Sequence, residues 1–135
     1  MSTAPADLSV SKAQFKAKFE LWLKSSQLNA WIADERGIFN FYVRKGRHVV
    51  EDEIVSTLDV ANVKISEGYQ RKGQGDSMLQ YLHDVNPYDA TYIENVINPG
   101  WAVHLTETKW KPADRRSQSG LSPCLFKYTN KVFCK

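Results

Sequence analysis

Gln70-Arg71-Lys72-Gly73-Gln74-Gly75 governs the reading of this chain because of what lies on either side. Upstream, Leu58 to Ile65 has strand character; downstream, Met78, Leu79, Leu82 and Val85 form the apolar stripe of a helix over 77–85 that Asn86 and Pro87 end. Glycines between a strand and a helix let successive N–H groups converge on an anion while the helix presents its positive end. Arg71 and Lys72 add two cations, and a diphosphate is the group that best matches such a set of donors. By itself a two-glycine loop also reads as an ordinary basic turn before a helix. The third glycine of the dinucleotide fingerprint and the Gly-Lys-Ser/Thr ending of the NTPase loop are absent, which removes both of those readings.

Strand character resumes over 91–97, so residues 58–97 form a strand-helix-strand unit with parallel strands joined by a right-handed crossover. Further upstream, 30–33, 38–43 and 53–55 read as short strands, with Gly37 and Lys45-Gly46 as turns. Along 58–65, Leu58, Val60 and Asn62 alternate with Asp59, Ala61, Val63 and Ile65, the pattern of a strand covered on both faces. Near the start, Phe15, Phe19, Trp22 and Leu23 describe an amphipathic helix over 11–24, opened by Ser11, within an N-terminal region 1–27. Asn98 and Pro99 should open a second helix running to about Thr108. The polar stretch 112–123 reads as a flexible loop, and 124–128 and 132–134 as terminal strands. The fold class is α/β (α+β), a mixed sheet with flanking helices.

With 135 residues and 42% hydrophobic composition, one core and a single domain over 1–135 are expected. No signal peptide or membrane-spanning run is evident, which favours a cytoplasmic protein without a membrane partner. Cys124 and Cys134 form neither a disulfide framework nor a metal site, so no metal is expected. The net charge of +3 suits an anionic cofactor without requiring nucleic acid. Trp31, Phe39, Phe41, Tyr42, Arg44 and Arg47 would be the raw material of a nucleic-acid surface, but they alternate as a core strand does.

Residues 70–75 match the pyrophosphate loop of the GNAT superfamily of N-acetyltransferases: Gln or Arg, two residues, Gly, one residue, Gly or Ala. The chain resembles that family from about Val55 to Trp110. The resemblance implies a mostly antiparallel sheet with a central parallel pair that splays, and acetyl-CoA as cofactor. It implies that backbone groups of Ile65, Ser66 and Glu67 pair with the pantetheine arm. Gln70, Arg71, Lys72, Gly73, Gln74 and Gly75, with Asp76 beside them, would hold the pyrophosphate, and Asn98 would bond the pantetheine or carbonyl region. The acceptor would be the primary amine of a small molecule, a protein lysine or an N-terminus, and the protein a monomer or homodimer.

An ammonium has no lone pair, so a base must deprotonate it. Asp59, 14 residues before Gly73, matches the glutamate that the resemblance offers as base, with Glu67 and Glu94 as rivals near the same gap. Any of the three also reads as a plain salt-bridged carboxylate. Thr106 stands where many members carry a tyrosine acid, which leaves Tyr92, His104 and Tyr69 as substitutes. Asp76 places a carboxylate beside the expected phosphates. These departures support an alternative, a catalytically weak or inactive GNAT-fold binding module acting through protein contacts.

Overall fold

The computed structural model describes residues 4–66, 74–94, 105, 108–113 and 124–129, with the side chains of the first helix from Leu8 onward. Its first element, α1 (Ala4–Lys24), starts earlier than the expected Ser11, because Pro5 sits in the first turn, where the missing N–H breaks no helical bond. Ser11 is inside the helix and fully buried, and its Oγ has no hydrogen-bond partner among the described residues. The stripe behaves as its spacing predicts: Phe15, Phe19 and Trp22 are buried. Phe15 meets Phe41 edge-on at 5.0 Å and Phe39 at 6.2 Å, and Phe19 meets Tyr81 at 6.2 Å. Edge-to-face pairs of this kind each add about 0.5–1.5 kcal/mol to the area they bury. The end of the helix is capped from the sheet, with Lys45 Nζ donating to the carbonyls of Trp22 (3.1 Å) and Ser25 (2.6 Å).

The strands β1 (Asn29–Ala33), β2 (Phe39–Val50) and β3 (Glu53–Ile65) form an antiparallel meander. Gly37, at φ 72°, makes the first turn as expected. Lys45-Gly46 is not a turn. Gly46 is a strand residue opposite Thr57, and the hairpin reverses at Glu51 and Asp52, whose φ angles of 49° and 66° belong to a two-residue hairpin loop. The glycine serves a close approach instead, since a Cβ at 46 would lie 2.9 Å from Asp59 Oδ2.

The alternation expected along 58–65 holds only as far as Val60. Tyr42 pairs with Asn62 and Val43 with Val60, so Ala61 is the extra residue of a bulge. A one-residue insertion exchanges the faces. Val63 and Ile65 therefore pack on the same cluster as Leu58 and Val60 rather than opposite them.

α2 (Gln74–Val85) begins three residues before the expected Ser77 and leads to β4 (Ala90–Ile93). β4 runs parallel to β3, Thr57 to Val60 facing Ala90 to Ile93, as the strand-helix-strand reading requires; 95–97 lie outside the described residues. The expected strand at 124–128 is β6 (Leu125–Tyr128), which pairs antiparallel with β4 and with a two-residue strand, β5 (Lys111–Pro112). The sheet is thus mixed, in the order β1-β2-β3-β4-β6-β5, with one parallel pair among the described strands. Within the expected loop 112–123, Pro112 is in β5 and the Ala113 N–H donates to the Cys124 carbonyl at 2.9 Å; 114–123 are outside the described residues. So are 132–134 and Cys134. Of the helix expected over 98–108, Leu105 is helical and buried, and Thr108 lies in a turn.

α1 and α2 pack on one face of the sheet, where the main core joins Phe15, Phe19, Phe39, Phe41, Leu58, Val60, Met78 and Leu82. A smaller cluster of Val50, Val55, Ala90, Tyr92 and Phe126 occupies the other face. Phe39 and Phe41 are fully buried, which removes them from any nucleic-acid surface. No helix among the described residues is long and apolar enough to cross a membrane.

Candidate active site

On the face away from the helices, the β2–β3 register sets Arg44 opposite Asp59, Gly46 opposite Thr57 and His48 opposite Val55, while β4 sets Tyr92 beside Asp59. The side chains converge. Thr57 Oγ1 donates to Asp59 Oδ1 at 2.6 Å, and His48 Nε2 lies 2.9 Å from Asp59 Oδ2. Arg44 lies 3.5 Å from the same Oδ2 and forms a close ion pair with Glu94. The His48 ring stacks on Tyr92 with centroids 3.7 Å apart and planes 2° from parallel. Asp59, with a side chain only 4% exposed, is the buried centre of the cluster. Buried carboxylates require such partners, because desolvation without them is costly.

The cluster lies where the parallel pair ends. Val60 and Ile93 are the last β3–β4 partners among the described residues, and the Glu94 N–H donates to the Val60 carbonyl at 3.0 Å. Beyond them β3 continues to Ile65 paired with β2 alone among the described strands. The Ser66 N–H donates to the Ile38 carbonyl at 2.9 Å and its Oγ to the Gly37 carbonyl at 3.1 Å, so the end of β3 is held on its β2 side.

Asp59 and Glu94 are therefore brought together, while Ile65 and Ser66 end the strand that leads away from them. Gln74, Gly75 and Asp76, expected in the loop, form the first turn of α2. That places the positive end of the helix directly after Gly73. Glu67, Tyr69, Gln70, Arg71, Lys72, Gly73, Asn98, His104 and Thr106 lie outside the described residues. A cavity of about 90 Å³ lined by Asp76, Leu79, Gln80, Leu105, Thr108 and Trp110 adjoins α2; ligand pockets are several times larger.

Four members of the cluster, Arg44, Gly46, Thr57 and His48, went unseen in the sequence as site residues. The signal was the hairpin turn: had Glu51 and Asp52 been taken as the reversal, pairing outward from it aligns His48, Gly46 and Arg44 with Val55, Thr57 and Asp59. His48, Asp59 and Glu94 each offer a ligand atom within 4.8 Å of the others, a donor set a divalent cation could use. Arg44 already bonds both carboxylates, however, and a guanidinium there opposes a second positive charge.

The second histidine in the described residues, His83, is of a different kind. Its Nδ1 lies 2.8 Å from Thr91 Oγ1 and its ring 5.7 Å from Trp110. Burial first, and then Lys127, lower its pKa and hold it neutral.

No family model matches the chain, and no curated protein does. Solved structures do. A mutant AtaT toxin bound to the C-terminus of the antitoxin AtaR and acetyl-CoA superposes with a TM-score of 0.54 at 11% identity over 73% of this chain. The KacTA-DNA complex superposes with a TM-score of 0.55 at 11% identity, over 89% of this chain and 79% of that one. The chain spans 64% of the length of the AtaT chain. At such identities the likeness is one of fold.

Proposed function

We propose, from the GNAT fold that this chain has in common with those structures, that it is an acetyl-CoA-dependent N-acetyltransferase acting on a primary amine. One observation carries the reading. Among the described residues the pairing of β3 with β4 runs no further than Val60 and Ile93, and α2 begins at Gln74, inside the glycine-rich stretch 70–75. A gap between strands accepts an extended arm that pairs with the exposed strand edge, and a helix start after a basic glycine loop accepts a diphosphate. The acetyl-CoA bound to the AtaT mutant supports the same cofactor here.

In this reading Gln70, Arg71, Lys72, Gly73, Gln74 and Gly75 hold the pyrophosphate. The backbone of Ile65, Ser66 and Glu67 pairs with pantetheine, and Asn98 bonds it from the other side. Bound acetyl-CoA supplies an activated acyl carbon and a thiolate leaving group. The chain's residues orient that carbon, exclude water and remove a proton from the amine within the Asp59–Glu94 cluster. The acceptor is the amine of a small molecule or of a protein.

Asp76 favours a second reading, a GNAT-shaped module without turnover. Its carboxylate sits in the first turn of α2 and competes for the helix dipole with a phosphate. Thermal stabilisation by acetyl-CoA tests both readings, because a ligand specific for the folded state raises its stability. Gly73→Glu should abolish the stabilisation. Thiol release with an amine separates the first reading from the second, and a chain whose melting temperature ignores acetyl-CoA refutes both.

A further inference from the structure

We infer that His48 is the general base of this acetyl transfer, that Nδ1 is the atom that accepts the proton, and that Asp59 is its positioning residue; the inference rests on the acetyltransferase reading above. Asp59 is poorly placed to touch an amine. Its Oδ1 is taken by Thr57, its Oδ2 by His48 and Arg44, and its side chain is 4% exposed. Glu94 is committed to Arg44. His48 is the group with both a fixed geometry and an open face: its side chain is 25% exposed and its ring lies flat on Tyr92.

An ionised carboxylate only accepts hydrogen bonds, so the Nε2 that faces Asp59 carries the hydrogen and the lone pair is left on Nδ1. Nδ1 makes no hydrogen bond among the described residues. The dyad is possible because residue 46 is glycine. A Cβ at 46 would lie 2.9 Å from Asp59 Oδ2 and would press on the carboxylate. The location also fits. Asp59 pairs with Tyr92 one step before the last β3–β4 partners among the described residues, and the ligand atoms of His48 and Glu94 lie within 4.8 Å of each other there. Imidazole is the commonest general base because its ordinary titration range adjoins neutrality.

The proton bookkeeping closes. The acceptor ammonium gives one proton to Nδ1, and the freed lone pair forms the bond to the acetyl carbon as the carbon–sulfur bond breaks, its electron pair leaving on sulfur. The surplus proton of the new amide nitrogen passes to that thiolate, and His48 releases its own proton to solvent across its exposed edge.

The test uses the full chain with acetyl-CoA, following thiol release against a lysine-rich peptide, spermidine and an aminoglycoside, with kcat/KM measured across pH. The charged and titratable groups facing His48 among the described residues are Arg44 from β2, Asp59 from β3, Tyr92 from β4, and Glu94 just after β4. His48→Gln should lower kcat/KM by about 100-fold or more, leave the acetyl-CoA dissociation constant nearly unchanged, and remove the acidic limb of the profile. Free imidazole should restore part of the rate of His48→Ala. Asp59→Asn should lower kcat/KM about tenfold and leave the acetyl-CoA dissociation constant nearly unchanged, because it removes the carboxylate that orients the ring. His48→Gln with wild-type kcat/KM, His48→Ala indifferent to imidazole, or an acidic limb that survives in His48→Gln and vanishes in Glu94→Gln overturns the assignment. A wild-type chain that neither binds acetyl-CoA nor releases thiol with any acceptor overturns the acetyltransferase reading and His48 with it, whereas wild-type turnover beside an equally active His48→Gln strikes the histidine alone.

Discussion

The two faces of the sheet are built from the same strands and have opposite chemistry. Toward the helices, β2 and β3 present Phe39, Phe41, Val43, Leu58 and Val60, all buried in one apolar cluster. Toward the other side, neighbouring positions of the same strands present Arg44, His48, Thr57 and Asp59, which form a polar network over Gly46 joined by Tyr92 from β4 and Glu94 just after it. Leu58 and Asp59 are consecutive and both buried, yet one is held by dispersion and water exclusion and the other by ion pairs and hydrogen bonds. The two histidines repeat the contrast: His83 is held neutral beside Thr91 and Trp110, and His48 keeps an open edge beside a carboxylate. If stability rests on the helix face and the proposed chemistry on the other, substitutions should divide accordingly.

The sharpest division should come from Phe41→Ala, which empties the contact with Phe15 and should cost about 3–5 kcal/mol in urea unfolding. A loss below about 1 kcal/mol would mean that the helix face is not the main source of stability. Gly46→Ala tests the polar face by geometry alone. Its Cβ meets the Asp59 carboxylate, and the overpacking should cost about 1–3 kcal/mol and lower turnover as the carboxylate leaves His48. Unchanged stability and turnover would show that the close approach of Gly46 to Asp59 carries no constraint.

The smallest effect belongs to His83→Gln. Because folding lowers the pKa of His83, the unfolded chain takes up its proton first as pH falls. The stabilisation is therefore complete above the unfolded value of about 6.5 and is lost as pH drops through the folded value. His83→Gln should flatten the fall in melting temperature on the acid side of neutrality and leave the acidic limb of kcat/KM in place. A variant that changes the activity profile instead would erase the distinction between the two histidines.

Much of the helix face was legible in the sequence. Phe15, Phe19 and Trp22 at helical spacing, and Met78, Leu79 and Leu82 likewise, identify buried stripes because a regular element must repeat its apolar residues at its own period. The order strand, helix, strand was legible for the same reason, and with it the parallel pair. The polar face was only half legible. Asp59 and Glu94 were recognisable as candidates by type and position, but Gly46 was misread as a turn because a glycine next to a lysine carries no local mark that separates a reversal from a close strand contact. Val63 and Ile65 were assigned to the wrong face because nothing in 58–65 announces the extra residue at Ala61.

The amino-acid order alone was enough to establish the first helix, the strand-helix-strand order of β3, α2 and β4, and the apolar positions that build the core. These depend on periodicity and on residue chemistry within short windows. The meeting of Arg44 and His48 with Asp59 and Glu94 came from folding alone. Those side chains touch through strand pairing, and the pairing depends on where a two-residue turn and a bulge set the register. A shift of one residue at either would turn the same side chains to the opposite face.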